Sequence, residues 1–276
     1  MTVDPAVPTG FSLAQQQRLT QETFVEHLEY APHMGSTNDR ALELVAAGDC
    51  RTPTLVLTER QTGGRGRGTN QWWAGAGALT CSLIIDPQQL HVPADQRPQM
   101  SLTLGLAICN TIKRYVPAGN VGLKWPNDVH LNGRKVCGIL CEVPGHSSTN
   151  GPNTSPLMVL GVGLNVNNSS TTAPQELRSQ AIAMIDVRQE PLDLAEVTIA
   201  VLQNIHAKLD LLASDPAAML AEWSVFDILR DRRTWLQTSQ GEICGISRGI
   251  DTEGALLLET GNGLARFISA TILNWE

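Results

Sequence analysis

The chain has no apolar run near the ~20 residues that cross a bilayer as a helix. Met1 to Gly10 lacks both the basic start and the apolar centre of a secretory signal. A cytoplasmic protein without membrane contact is therefore expected. Six cysteines, at positions 50, 81, 109, 137, 141 and 244, form no Cys-x-x-Cys pair. Several sit in apolar runs, so buried reduced thiols are expected, not a zinc site or a disulfide framework. The six histidines include no His-Glu-x-x-His, the usual helix-borne zinc pattern. No Gly-Lys-Ser/Thr follows a glycine at P-loop spacing, and the dinucleotide-binding glycine pattern is missing. Neither a Ser-His-Asp nor a Cys-His arrangement is legible, which argues against a covalent enzyme nucleophile. A net charge of −7 excludes a generally basic nucleic-acid surface. What is present is 276 residues, 42% hydrophobic and 17% charged, enough for one large domain and a small one.

Against that background, charge and glycine gather in a few segments. Leu123-Lys124-Trp125-Pro126-Asn127-Asp128 reads as a turn, followed by an Asn132-Gly133 hairpin turn and Gly133-Arg134-Lys135-Val136-Cys137-Gly138-Ile139-Leu140. Two ammonium groups and a carboxylate are thus brought to one region, which is costly to desolvate without an anionic ligand or internal pairing. Gln61-Thr62-Gly63-Gly64-Arg65-Gly66-Arg67-Gly68 follows an apolar strand pattern. Glycines let backbone N–H groups close on an anion, and arginines offer forked donors for phosphate or carboxylate. Such a loop is expected to be mobile when empty and to order on a ligand. Gly35-Ser36-Thr37-Asn38 leads into an amphipathic stretch ending at Gly48. Ser36 or Thr37 suits the N-cap of a short helix, and Gly48 its stop. Three consecutive hydrogen-bonding side chains exceed what a cap requires and suit a compact polar ligand group. In Gly161-Val162-Gly163-Leu164-Asn165 the two glycines permit close approach of a ligand or a neighbouring backbone.

The organisation is α+β. Strands are expected at 54–59, 78–86, 121–125, 135–143 and 156–167. Helices are expected at Pro98–Val116 and Leu192–Leu212, the second capped by Asp193. Pro144–Pro156, rich in Gly, Ser, Thr, Asn and Pro, reads as a long hairpin connection. After Trp223 short strands and turns take over, at Arg233–Gln237, Gly241–Ile250, Ala255–Glu259 and Leu264–Ser269, a pattern that fits a small SH3-like barrel. Residues 1–20 are expected to be partly ordered at best. The expected units are an N-terminal extension over 1–30, a catalytic domain over 31–229 and the barrel over 230–276. Some 30 residues before the first motif are too few for a DNA-binding domain of ordinary size.

Taken in order, Ser-Thr-Asn, Gln-x-x-Gly-Arg-Gly-Arg, Lys-Trp-Pro-Asn-Asp, Arg-Lys-x-x-Gly-Ile-Leu and Gly-x-Gly-x-Asn resemble the biotin–protein ligases, from about Gly35 to the C-terminus. Gly245–Glu259 is similar to that family's small C-terminal domain. The resemblance implies a class II synthetase-like fold of the biotin/lipoate ligase type, with a mixed sheet, flanking helices and the SH3-like barrel. It implies activation of biotin by ATP with Mg2+ to biotinyl-5′-AMP, then transfer to a lysine of a biotin carboxyl carrier protein. Carried onto this sequence, Ser36, Thr37, Asn38 and Gln61 surround the ureido ring, and Arg65, Gly66 and Arg67 form a closing loop. Lys135 touches the biotin carboxylate and the α-phosphate, with Lys124 and Arg67 as further charge, and Gly138 and Asn165 join the ligand site. Trp72 walls the valeryl chain. Asp128 accepts a proton or, with Asn127, holds magnesium, and Arg248 reaches ATP. A homodimer through the central sheet is compatible with the family. The sequence departs from the frequent Gly-Arg-Gly-Arg-Arg-Gly loop, since Gly68-Thr69 follows Arg67 and one positive charge is missing. Two rivals stand beside this reading: a lipoate ligase or octanoyl transferase of the same fold, and a non-catalytic biotin-sensing regulator.

Overall fold

Residues 10–48, 50–144 and 156–276 are described by a computed structural model of the chain. The first element is already a departure from expectation. Ser12 caps helix α1 (Leu13–Gln21), its hydroxyl accepting from Gln15 N–H while the Gln15 side chain returns to the Ser12 amide. Leu19 is fully buried, so residues 13–20 are anchored, unlike the partly ordered segment expected there; residues 1–9 lie outside the described set. Strand β1 (His27–Met34) follows, unheralded by periodicity because its side chains are nearly all half-exposed and Pro32 interrupts it. Helix α2 (Thr37–Ala47) is capped by Ser36 and stopped by Gly48 in the left-handed region.

The central sheet uses β1, β2 (Thr54–Gln61), β3 (Leu79–Ile85), β4 (Val121–Lys124), β5 (Asp128–Leu131), β6 (Arg134–Glu142) and β7 (Met158–Leu164). Its order is β1-β2-β3-β7-β6-β5-β4. Only β1 and β2 run parallel; every other pair is antiparallel. Strands β3 and β7 are buried at every position, as expected of strands covered on both faces. Helix α2 packs on one face through Ala41, Val45, Val56, Ile84 and Val159. Helix α3 (Met100–Tyr115), backed by α5 (Leu194–Ser214), covers the other face with Leu104, Ile108, Ile205 and Leu209. Asp193 caps α5 with its carboxylate on two backbone N–H groups. A short α4 (Met184–Arg188) and α6 (Pro216–Val225) flank α5. The connection over 145–155 lies outside the described residues.

Beyond α6 the chain forms a second, five-stranded antiparallel sheet from β8 (Arg233–Thr238), β9 (Gly241–Ile250), β10 (Leu256–Thr260), β11 (Gly263–Phe267) and β12 (Thr271–Trp275), in the order β11-β10-β9-β8-β12. Strand β12 was not anticipated; its alternation of one buried side chain among exposed neighbours gives little signal. Hydrogen bonds tie the small sheet and its lead-in segment to the large domain. Trp125 Nε1 donates to Gly254 O at 3.0 Å. Leu123 pairs with the segment Phe226–Ile228 through backbone hydrogen bonds in both directions. Arg67 donates to Ala270 O at 2.5 Å.

Candidate functional site

Register assembles the site. Opposed residues of neighbouring strands share a face. Lys124 on β4 opposes Asp128 on β5, Asp128 opposes Gly138 on β6, and Gly138 opposes Gly163 on β7. The next row joins Leu140, Gly161 and Ser82. Both rows lie on the α2 face, and all of these residues but the fully buried Ser82 line a cavity of about 670 Å³. Its lining includes Ser36, Thr37, Asn38, Gln61, Arg65, Gly66, Arg67, Trp72, Lys124, Asn127, Asp128, Lys135, Gly138 and Asn165. The segments singled out in the sequence therefore converge.

One end is a dense polar network around the start of α2. Gln61 Oε1 accepts from Thr37 N–H at 2.8 Å and from its hydroxyl at 3.1 Å, which leaves the Gln61 amide N–H donors for the cavity. Ser82, fully buried, donates to Asn38 Oδ1 at 2.6 Å and lies 2.8 Å from the Thr37 hydroxyl. Asn38 Nδ2 donates to Glu142 at 2.7 Å and to Leu140 O at 3.2 Å. The amide of Asn38 is thus spent on internal partners, so it shapes the pocket without a free group for a ligand. Asn165 is used likewise, donating to Ile182 O and accepting from Asn168. The two glycines of β7 make room for these side chains. A Cβ at Gly161 would collide with Asn38 Oδ1, and one at Gly163 with the Trp72 indole. The close approach seen there is of side chains of the site itself.

The Gly-Arg loop folds as a small hairpin, with Gly66 N–H donating to Asn70 O and Trp72 N–H to Gly64 O, both within 3.0 Å. Its two arginines have separate partners. Arg65 pairs with Asp39 at 2.7 Å and forks onto Glu142 at 2.6 and 3.1 Å. Arg67 reaches the opposite way, to Ala270 O and the Thr271 hydroxyl. Burial lowers the Arg67 guanidinium from its ordinary value, against the attraction of Asp128.

At the other end stand the lysines. Lys135 Nζ pairs with Asp128 at 2.6 Å and lies 5.9 Å from the centre of the Trp72 ring. Lys124 has no carboxylate partner among the described residues. Its ammonium sits 4.7 Å over the ring of Trp275, and burial holds it below the ordinary lysine range, opposed by Asp128 and aided by Lys135 and Arg67. Asn127 donates to Ile139 O at 2.8 Å. Arg248 is not part of this cavity. It is fixed on the small sheet by Asp231 at 2.7 Å and Glu259 at 2.6 Å, two acids whose proximity in space the sequence does not show, and it drops out of the candidate set.

Four participants escaped the sequence reading. Ser82 and Glu142 organise the polar end, whereas His130 and Trp275 line the cationic end. Glu142 lies just past the Gly-Ile-Leu motif on the same face, a signal that alternation offers. Trp275 carries none, lying more than 130 residues from both Lys124 and Lys135.

Fold and site together place a compact hydrogen-bonding pocket beside a cationic chamber in one cavity. Residues 30–165 match the Biotin/lipoate A/B protein ligase family, and residues 232–273 match the biotin protein ligase C terminal domain. The biotin–[acetyl-CoA-carboxylase] ligase of Mycobacterium tuberculosis is 31% identical over 85% of this chain and 84% of its own length. The bifunctional ligase/repressor BirA of Bacillus subtilis is 31% identical over 92% of this chain and 76% of its own. The solved structure of Aquifex aeolicus biotin protein ligase in complex with biotin and ATP superimposes with a TM-score of 0.76 over 91% of this chain and 99% of that one, at 24% identity. The chain belongs to the biotin protein ligase family.

Proposed function

We propose that this chain is an ATP-dependent ligase that activates biotin as biotinyl-5′-AMP and transfers the biotinyl group to a lysine of a carrier protein. One observation carries the reading: the pocket whose free donors suit a ureido carbonyl opens directly onto four cations, Arg65, Arg67, Lys124 and Lys135, in the same cavity. The first step brings together a carboxylate and a triphosphate, which repel, and positive charge in a partly desolvated chamber offsets that repulsion. The Gln61 N–H donors match the ureido carbonyl, with the hydroxyls of Ser36 and Thr37 beside them. Trp72, fixed in the groove that Gly163 leaves, walls the apolar chain of biotin. Lys135 meets the biotin carboxylate and the α-phosphate. Attack of that carboxylate on the α-phosphorus expels pyrophosphate, and attack of the carrier lysine on the mixed anhydride expels AMP, so no enzyme nucleophile is required.

In the second step Asp128 is the candidate proton acceptor for the incoming lysine, once Lys135 has turned to the adenylate. Asn127 Oδ1 and Asp128 fit magnesium arriving with ATP, since that ion binds through one or two protein oxygens plus phosphate and water. Bound there it would supply charge neutralisation on the phosphates. Among the described residues no cluster of three or more His, Cys, Asp or Glu exists to hold a metal by protein ligands alone. The rival transferase would need a nucleophile. Cys81, the cavity-lining cysteine, is a poor one, because burial pushes its thiol up to about 12. No described helix is long and apolar enough to cross a membrane, and a cytoplasmic setting is part of the proposal.

Incubation with ATP, magnesium, biotin and a purified carrier domain tests the reading by intact mass. The carrier should gain one biotinyl group, and a variant carrier without its acceptor lysine should gain none. Loading of lipoate in preference to biotin would overturn the assignment.

A further inference from the structure

Lys124 and Lys135 face the same chamber but are held differently. Lys135 has a carboxylate, Asp128, at 2.6 Å. Lys124 is half-buried and has an aromatic face in place of a paired carboxylate, the ring of Trp275 at 4.7 Å. That ring is itself fixed. His130 meets it edge-on at 5.8 Å and 81°. The His130 imidazole is held in turn by Nδ1, which donates to Gly133 O at 3.2 Å since a carbonyl only accepts. The backbone of Trp275 is locked by pairing with Thr234, and Glu276 exchanges two hydrogen bonds with Arg233. Trp275 therefore presents an aromatic face to an ammonium whose nearest acid, Asp128, opposes it in register without pairing to it. A cation over an indole face is attracted by the ring quadrupole, which holds a flexible side chain in one direction without satisfying its full charge. A polyphosphate entering the chamber supplies the missing charge.

We infer that Trp275, from the last strand of the small sheet, is a positioning residue for nucleotide binding: its indole holds the Lys124 ammonium toward the incoming triphosphate. This rests on the ligase reading given above. It also gives the small sheet a defined task at the site, in addition to the contact that Arg67 makes with Ala270.

The test is ATP and biotin affinity, measured separately by calorimetry, for the full chain and for Trp275→Leu, Trp275→Phe, Lys124→Met and the Lys124→Met/Trp275→Leu double variant. Leucine keeps apolar bulk but has no ring face; phenylalanine keeps a face. The expected result is ATP binding weakened roughly tenfold in Trp275→Leu, largely restored in Trp275→Phe, and biotin affinity unchanged in both. In the Lys124→Met background the Trp275→Leu change should add nothing further, because its partner is gone. Equal losses in the two backgrounds, biotin weakening in step with ATP, or a phenylalanine variant as weak as leucine would overturn the inference. If Trp275→Leu does not fold, Trp275→Met, which also lacks a ring face, takes its place in the same comparison with and without Lys124. Absence of ATP binding by the unaltered chain strikes the ligase reading instead, so the two failures are distinct.

Discussion

Ser82 carries no charge and belongs to no motif, yet its hydroxyl fixes two members of the polar pocket at once. It holds Asn38 Oδ1 at 2.6 Å and touches the Thr37 hydroxyl at 2.8 Å. Removing it leaves a buried amide oxygen unpaired, which costs about 1–3 kcal/mol. Ser82→Ala should therefore weaken biotin by roughly tenfold or more, with ATP affinity unchanged, as titration of each ligand would reveal; equal weakening of both would contradict the assignment. Lys135 acts differently. Lys135→Ala should depress biotin-dependent adenylate formation by about 10²–10³, the usual loss for one electrostatic stabiliser, while thermal unfolding stays near that of the parent chain because the lost pair with Asp128 is over a third exposed on the lysine side. Normal pyrophosphate release by that variant would remove Lys135 from the chemistry. The lysines and arginines were legible from sequence because glycine and proline mark the turns that present them. Ser82 was not, since a serine inside an apolar strand looks like any other buried hydroxyl.

At the scale of elements, the glycines of β7 are spacers. Gly161→Ala would drive a methyl into Asn38 Oδ1, and that amide has no room to yield between Ser82, Glu142 and Leu140 O. The variant should lose biotin binding while keeping the ATP site, and isothermal titration separates the two. The connection from α6 to β8 offers a second test. Burial pushes the Asp227 carboxyl up from 3.8 to about 6, and its Oδ2 has no hydrogen-bond partner among the described residues. A group whose folded pKa is raised contributes its full stability below the unfolded value and loses it as pH rises through the folded one. Stability should therefore decline from about pH 4 to pH 6–7 by on the order of 2 kcal/mol through this residue. Asp227→Asn should flatten that slope in melting curves recorded across the range; an unchanged slope would show that another group titrates. Strand and helix positions were legible where burial alternates or runs unbroken, as in β3, β7 and α3. They were hidden in β1, whose residues are mostly half-exposed, and in β12, whose residues are mostly exposed. Helix α1 was hidden because its cap, Ser12, follows a Pro-rich stretch that reads as unstructured.

For the whole molecule, two sheets meet at the cationic end of one cavity. The fold class was readable from the order of the motifs and the change of rhythm after Trp223. The contribution of the small sheet to the cavity was not, because Thr271 and Trp275 reach the site only through tertiary docking. That geometry puts Arg248 on the outside, paired with its own sheet, and puts Trp275 within. The central claim is that a carboxylate and a triphosphate meet in this chamber under the cover of Arg65, Arg67, Lys124 and Lys135. Biotin-dependent exchange of labelled pyrophosphate into ATP measures that encounter directly, before any carrier is involved. The account predicts exchange that requires biotin with a free carboxylate and disappears when biotin methyl ester replaces it. Exchange that proceeds without biotin, or none at all with biotin, ATP and magnesium saturating, would contradict it.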